Sequence, residues 1–164
     1  MKILILGIVG SGKTTIARKL SNRLNIKHYE IDSIVHDDIK GVKRSKSEQI
    51  KIFNKINKKS WILEGTTRKN QEHIIENADI IYFIDIPKYI RYYRIIKRYI
   101  KQKIGIEKIN YKVDIKLLKD MFKWTKEYEK NKDNIIIELN KTNNLIILKN
   151  KKDINNILEV KYEV

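Results

Sequence analysis

The chain has 164 residues, enough for one core and one domain but not for two large ones. Lys plus Arg number 36 against 20 Asp plus Glu; the resulting charge of +16 favours phosphorylated or polyanionic partners, and it fits equally a genome bias toward Lys, Ile and Asn codons. A cysteine count of zero excludes disulfides, a Cys nucleophile and thiolate metal centres, while no stretch approaches the ~20 apolar residues of a membrane span.

The first apolar run, residues 2–6, is followed at once by glycines and has no cleavage site of small residues. It therefore reads as a buried strand rather than a leader, and the protein as cytoplasmic. Helical spacing follows over 13–24, a short strand over 27–31, a helix over 47–58, a strand over 60–63 and a short helix over 71–76. Beyond these come a strand over 79–84, a helix over 89–103, a helix over 114–130, a strand over 144–148 and a helix over 154–160. Segments 32–46 and 103–113 carry no clear period and read as loops over a site. The alternation predicts a single α/β domain over 1–164, with five parallel strands covered on both faces. Leu117, Leu118, Met121, Phe122, Thr125 and Tyr128 recur at three- and four-residue spacing and read as a core stripe, not a cofactor box.

The segment Gly7-Ile8-Val9-Gly10-Ser11-Gly12-Lys13-Thr14 satisfies G-x-x-x-x-G-K-[ST], between an apolar strand and an amphipathic helix. Glycines let backbone N–H groups turn inward around phosphate oxygens, and the helix N-terminus adds its dipole. Gly7, Gly10, Ser11, Gly12, Lys13, Thr14 and Thr15 are thus candidates for binding ATP; Lys13 would reach the β- and γ-phosphates and the Thr14 hydroxyl would ligate Mg2+. Two acids end apolar runs and compete to support that metal, Glu64 and Asp85. Glu64 precedes Gly65, which permits close approach to a ligand, whereas Asp85 precedes the chain's single proline, Pro87, and reads equally as a turn acid.

Asp32 ends the second strand, at the carboxyl edge where open α/β sheets bind ligands; Glu30, two residues earlier, reads as facing away from that site. Arg91, Arg94 and Arg98 share one helical face in a chain with only seven arginines, and the planar fork of Arg suits phosphate. A solvated basic face is the competing reading. Asn140-Lys141-Thr142-Asn143 matches a guanine-recognition signature only superficially.

Taken together, the loop at 7–14, Ile31-Asp32-Ser33-Ile34, Trp61-Ile62-Leu63-Glu64-Gly65-Thr66, the run from Ala78 to Pro87 and the Arg94, Arg98 pair resemble a known group. It comprises P-loop small-molecule kinases of the adenylate kinase-like class, most closely the bacterial DNA topology modulation proteins (FlaR-related). The resemblance implies a three-layer P-loop NTPase fold with sheet order 2-3-1-4-5, which puts the third strand beside the first and so favours Glu64 for the metal. It implies an acceptor-binding insert at about 33–59 and a helical lid at about 88–113. It also implies Arg68 as the acceptor-orienting arginine, Arg94 and Arg98 as lid arginines, and Asn150 in the adenine-contacting turn; Arg91, from its helical face, and Asp32, from its place at the strand edge, read as acceptor-binding beside Arg68. Relatives commonly carry Asp where this chain has Glu64. Two functions follow: an ATP- and Mg2+-dependent kinase in which Lys13, Arg94, Arg98 and Asp32 are catalytic and the acceptor is a nucleotide, nucleoside or similar small molecule, or an ATP-binding protein that engages nucleic acid to modulate DNA topology.

Overall fold

A computed structural model describes residues 1–37, 41–67, 71–106, 114–142, 144–160 and 162. Among them, five strands form one sheet, β1 (Lys2–Gly7), β2 (His28–Glu30), β5 (Trp61–Gly65), β6 (Ile80–Ile84) and β7 (Leu145–Leu148). Their order is β2-β5-β1-β6-β7 and every pairing is parallel. This is the α/β sheet and the strand order that the resemblance implied. Helices α1 (Lys13–Leu24), α2 (Ile31–Val35), α3 (Lys46–Ile56), α4 (Glu72–Ile75), α5 (Lys88–Lys103), α6 (Ile115–Asn140) and α7 (Lys151–Glu159) lie between and after the strands. No described helix is long and apolar enough to cross a membrane.

Side chains alternate across a strand, so each central strand feeds two cores. Leu4, Leu6, Trp61, Leu63, Ile81 and Phe83 point to a layer closed by Phe53 of α3, Ile74 of α4 and Tyr128 and Leu139 of α6. Ile3, Ile5, Ile62, Tyr82 and Ile84 point the other way, against Ile16, Ala17 and Leu20 of α1 and Ile157 of α7. Glu64 follows Ile62 by two residues and so belongs to the face covered by α1, where period alone would call for another apolar side chain.

Three local readings are corrected. Segment 32–46 is not an aperiodic loop, since it holds α2 and an antiparallel ribbon of β3 (His36–Asp37) and β4 (Val42–Lys43), pinned by Arg44, whose guanidinium donates to the Ser33 carbonyl at 2.7 Å. Helix α6 runs to Asn140 rather than stopping near residue 130: Ile135, Ile136 and Leu139 extend its stripe past Asn131, Asp133 and Asn134, residues of weak helix propensity. Helix α7 starts at Lys151, three residues early, because the Asn150 side chain accepts from the Asp153 amide in a capping box.

Trp61 is fully buried between sheet and α3, with its ring edge-on to Phe53 at 6.1 Å and its indole N–H donating to the Asn57 side chain at 3.0 Å. Trp61→Ala is expected to cost about 3–5 kcal/mol, read as a lower urea midpoint at unchanged slope.

Candidate active site

The loop between β1 and α1 turns through left-handed backbone at Gly10 (φ 78°) and Gly12 (φ 95°), conformations that L side chains rarely adopt. A Cβ on Gly10 would lie 2.9 Å from the backbone carbonyl oxygen of Arg91, so that position is restricted by space as well as by angle. No side chain caps α1. The amides of its first turn are left to an anion, which the helix dipole also favours.

Beneath this loop, at the end of β5, stands Glu64. The Thr14 hydroxyl donates to its Oε1 at 2.6 Å, and the Lys13 ammonium lies 3.9 Å from its Oε2. The carboxyl is 3% exposed, and Oε2 has no hydrogen-bond partner. Burial pushes its pKa above the ordinary value of 4.5, Lys13 and Thr14 pull part of the way back, and Glu30 opposes them.

The loop opens into a cleft of about 670 Å³. Gly12, Lys13, Thr14 and Thr15 form one wall, Glu30, Asp32 and Glu64 follow the carboxyl edge of the sheet, and Arg94 and Arg98 of α5 close the opposite side. Arg94 is held there by the loop itself: its Nη1 donates to the carbonyl of Ser11 at 2.7 Å and, less closely, of Gly10 at 3.4 Å. Gly7 and the buried Ser11 support this turn from behind, and the Ser11 amide donates to the Ile8 carbonyl at 3.2 Å.

Arg91 and Asp85 sit elsewhere. Arg91 does not share the cleft face with Arg94 and Arg98; it is 1% exposed, ion-paired with Glu129 of α6 and set over the Tyr128 ring at 5.4 Å. Its place is between α5 and α6, where a buried guanidinium requires a carboxylate partner. Asp85 pairs with Lys132 at 3.1 Å and is not among the cleft residues, which leaves Glu64 as the acid touching Thr14. Asn150 lies in the turn after β7 with its side chain engaged as the cap of α7. Arg68 lies outside the described residues. Gly65 approaches Ile31 closely, since a Cβ there would meet that side chain at 2.8 Å.

Glu30 does not face away from the site: it lines the cleft with Arg18, Ile95 and Met121. Pairing β2 with β5 sets Glu30 opposite Glu64, a neighbourhood that appears only once strand order is known.

A family model described as an AAA domain matches residues 3–116. A shikimate kinase from Actinobacillus succinogenes is 24% identical over 96 residues, covering 49% of this chain and 55% of that protein, so the match spans about half the length of this curated relative. Among solved structures, a shikimate kinase from Acinetobacter baumannii in complex with shikimate aligns with a TM-score of 0.60 at 13% identity, over 96% of this chain and 88% of that one. Another, from Bacteroides thetaiotaomicron, gives 0.57 at 12% identity over 97% and 94%. An uncharacterized protein from Eubacterium ventriosum gives 0.57 at 20% over the same shares. At these identities the likeness is one of fold.

A carboxyl whose folded pKa is raised destabilises the fold when ionised; the penalty is absent well below the ordinary carboxylate range and complete above the raised value. Glu64→Gln is therefore expected to raise the urea midpoint at pH 7, with the gain shrinking as the pH falls toward 4.5. A gain that does not change with pH would mean that Glu64 ionisation is not its source.

Proposed function

The chain belongs to the AAA domain family, and from that membership and the cleft at the head of α1 we propose that it is a P-loop kinase. It moves the γ-phosphoryl group of ATP, with Mg2+, to a nucleotide, a nucleoside or a similar small hydroxylated acceptor. The observation that carries this reading is the convergence of the Lys13, Thr14 and Glu64 cluster with Arg94, Arg98 and Asp32 on one cleft. The sequence match to a shikimate kinase supports the kinase class, while the acceptor remains for experiment to name.

The residues fit a hard dication: a hydroxyl and a buried carboxyl stand side by side under the phosphate loop. Thr14 would hold Mg2+ and Glu64 its water shell; bound there, the ion supplies positive charge to the phosphate oxygens. Loop amides and the Lys13 ammonium bind and orient the triphosphate. Arg94 and Arg98 neutralise charge that spreads over the transferring group. The bond from the γ-phosphorus to the β,γ-bridging oxygen breaks as a new one forms to the acceptor oxygen, and the proton of an acceptor hydroxyl passes to the Asp32 carboxylate. An acceptor that is already a phosphate needs no such base. Arg68 would orient the acceptor, and α5, carrying both cleft arginines, would exclude water during transfer.

The test is transfer from ATP across a panel of nucleoside monophosphates, nucleosides, shikimate and other small hydroxy-metabolites. One acceptor is expected to be phosphorylated, with Lys13→Ala and Arg94→Ala each lowering the rate about 10²–10³-fold. ATP binding with no acceptor phosphorylated, alongside salt-sensitive, sequence-independent binding of duplex DNA, would overturn the kinase reading in favour of the nucleic-acid one.

A further inference from the structure

Strand β2 is an edge of the sheet, and its two-residue period puts His28 and Glu30 on one face. Its parallel register with β5 pairs Glu30 with Glu64 and His28 with Ile62. One imidazole and two carboxylates are thereby gathered on the face covered by α1, with one ligating atom from each within 4.8 Å of the others. Like charges directly opposite across a sheet repel, so this pairing is unfavourable as it stands. Lys13 reaches Glu64 only at 3.9 Å, and the cation nearest in sequence, Lys27, lies over the Tyr29 ring at 5.2 Å.

Two further observations point to a ligand. Glu64 is almost wholly buried with Oε2 lacking a hydrogen-bond partner, and His28 Nε2 is likewise buried without one. Buried polar atoms in such a state are rare in folded proteins and call for a partner. A metal ion answers both, since carboxylate oxygens and a neutral imidazole are good donors.

We propose that His28, Glu30 and Glu64 hold a divalent transition-metal ion of the Mn2+ to Zn2+ series, at a position distinct from the nucleotide's Mg2+ but sharing Glu64 with it. Mg2+ is a poor occupant because it prefers an all-oxygen octahedron, whereas imidazole selects the transition metals. Ligand atoms about 2.1 Å from a metal stand up to about 4.2 Å apart, so the cluster needs only a modest closure. Glu30 is exposed on the edge strand and has the rotamer freedom to make it. The open cleft leaves the remaining coordination positions to solvent.

The experiment uses the full chain without nucleotide, so its result is independent of any phosphotransfer. Co2+ is titrated in the presence of excess Mg2+ and followed by its visible absorption. One equivalent is expected to bind and to be displaced by Zn2+, with His28→Ala and Glu30→Gln each weakening it by at least about tenfold, the lower end of what even an outer-shell loss costs a metal site. In the unmutated protein, Mn2+ at substoichiometric amounts is expected to broaden the ring resonances of His28 while sparing those of His36 and His73, a measurement that does not depend on the variants folding. The proposal is overturned if no Co2+ binds over Mg2+, if both variants bind it as the parent does, or if the His28 ring signals are not selectively broadened.

Discussion

The contact between the Thr14 hydroxyl and the buried carboxylate of Glu64 ties the first βα turn to the neighbouring strand. A carboxyl side chain in the layer that otherwise holds Ile3, Ile5 and Ile62 is tolerable only with partners, and Lys13 and Thr14, the last two residues of the phosphate-loop motif, supply them. For Lys13 and Thr14 to arrive there, the chain must leave β1 through the left-handed glycines and enter α1 without a capping side chain. Strand β5 must also lie directly beside β1, with Ile5 opposite Glu64. Sheet order, loop conformation and the position of the cleft are thus facets of one requirement, that a buried acid be matched.

Local features were legible in the sequence. The phosphate loop, the central strands and the bounds of α1 follow from signals a few residues wide: continuous apolar runs, two glycines, an amphipathic period. Non-local features were less so. Glu64 and Asp85 end similar apolar runs, and what separates them is that one strand adjoins β1 on the side of Thr14 while the other sends its acid to Lys132 of α6. That distinction came from family resemblance, not from periodicity. Glu30 was missed for the same reason, because its nearness to Glu64 exists only across a strand pairing.

The three arginines of α5 show why a shared helical face is weak evidence. Residues 91, 94 and 98 fall within one angular sector, but a helix packed between a loop and another helix divides such a sector between two neighbours. Arg94 and Arg98 meet the cleft, while Arg91 lies against Tyr128 and Glu129. Its near-complete burial identifies it as a strut between α5 and α6. The aromatic contact of Tyr92 with Phe122, 5.3 Å between ring centres, reinforces the same seam. One arginine and one carboxylate are thus matched inside the fold, which leaves the net charge that the surface presents unchanged.

The hydrogen bonds from Arg94 to the carbonyls of Ser11 and Gly10 place a long side chain on the rim of the phosphate loop. A free arginine has several rotatable bonds, and immobilising it at the moment of capture would subtract from affinity. Here that loss of freedom falls on folding, because the loop's own backbone is the template. The guanidinium also satisfies two loop carbonyls that would otherwise need another donor. Helix α5 thus acts as an extension of the loop that reaches it through space.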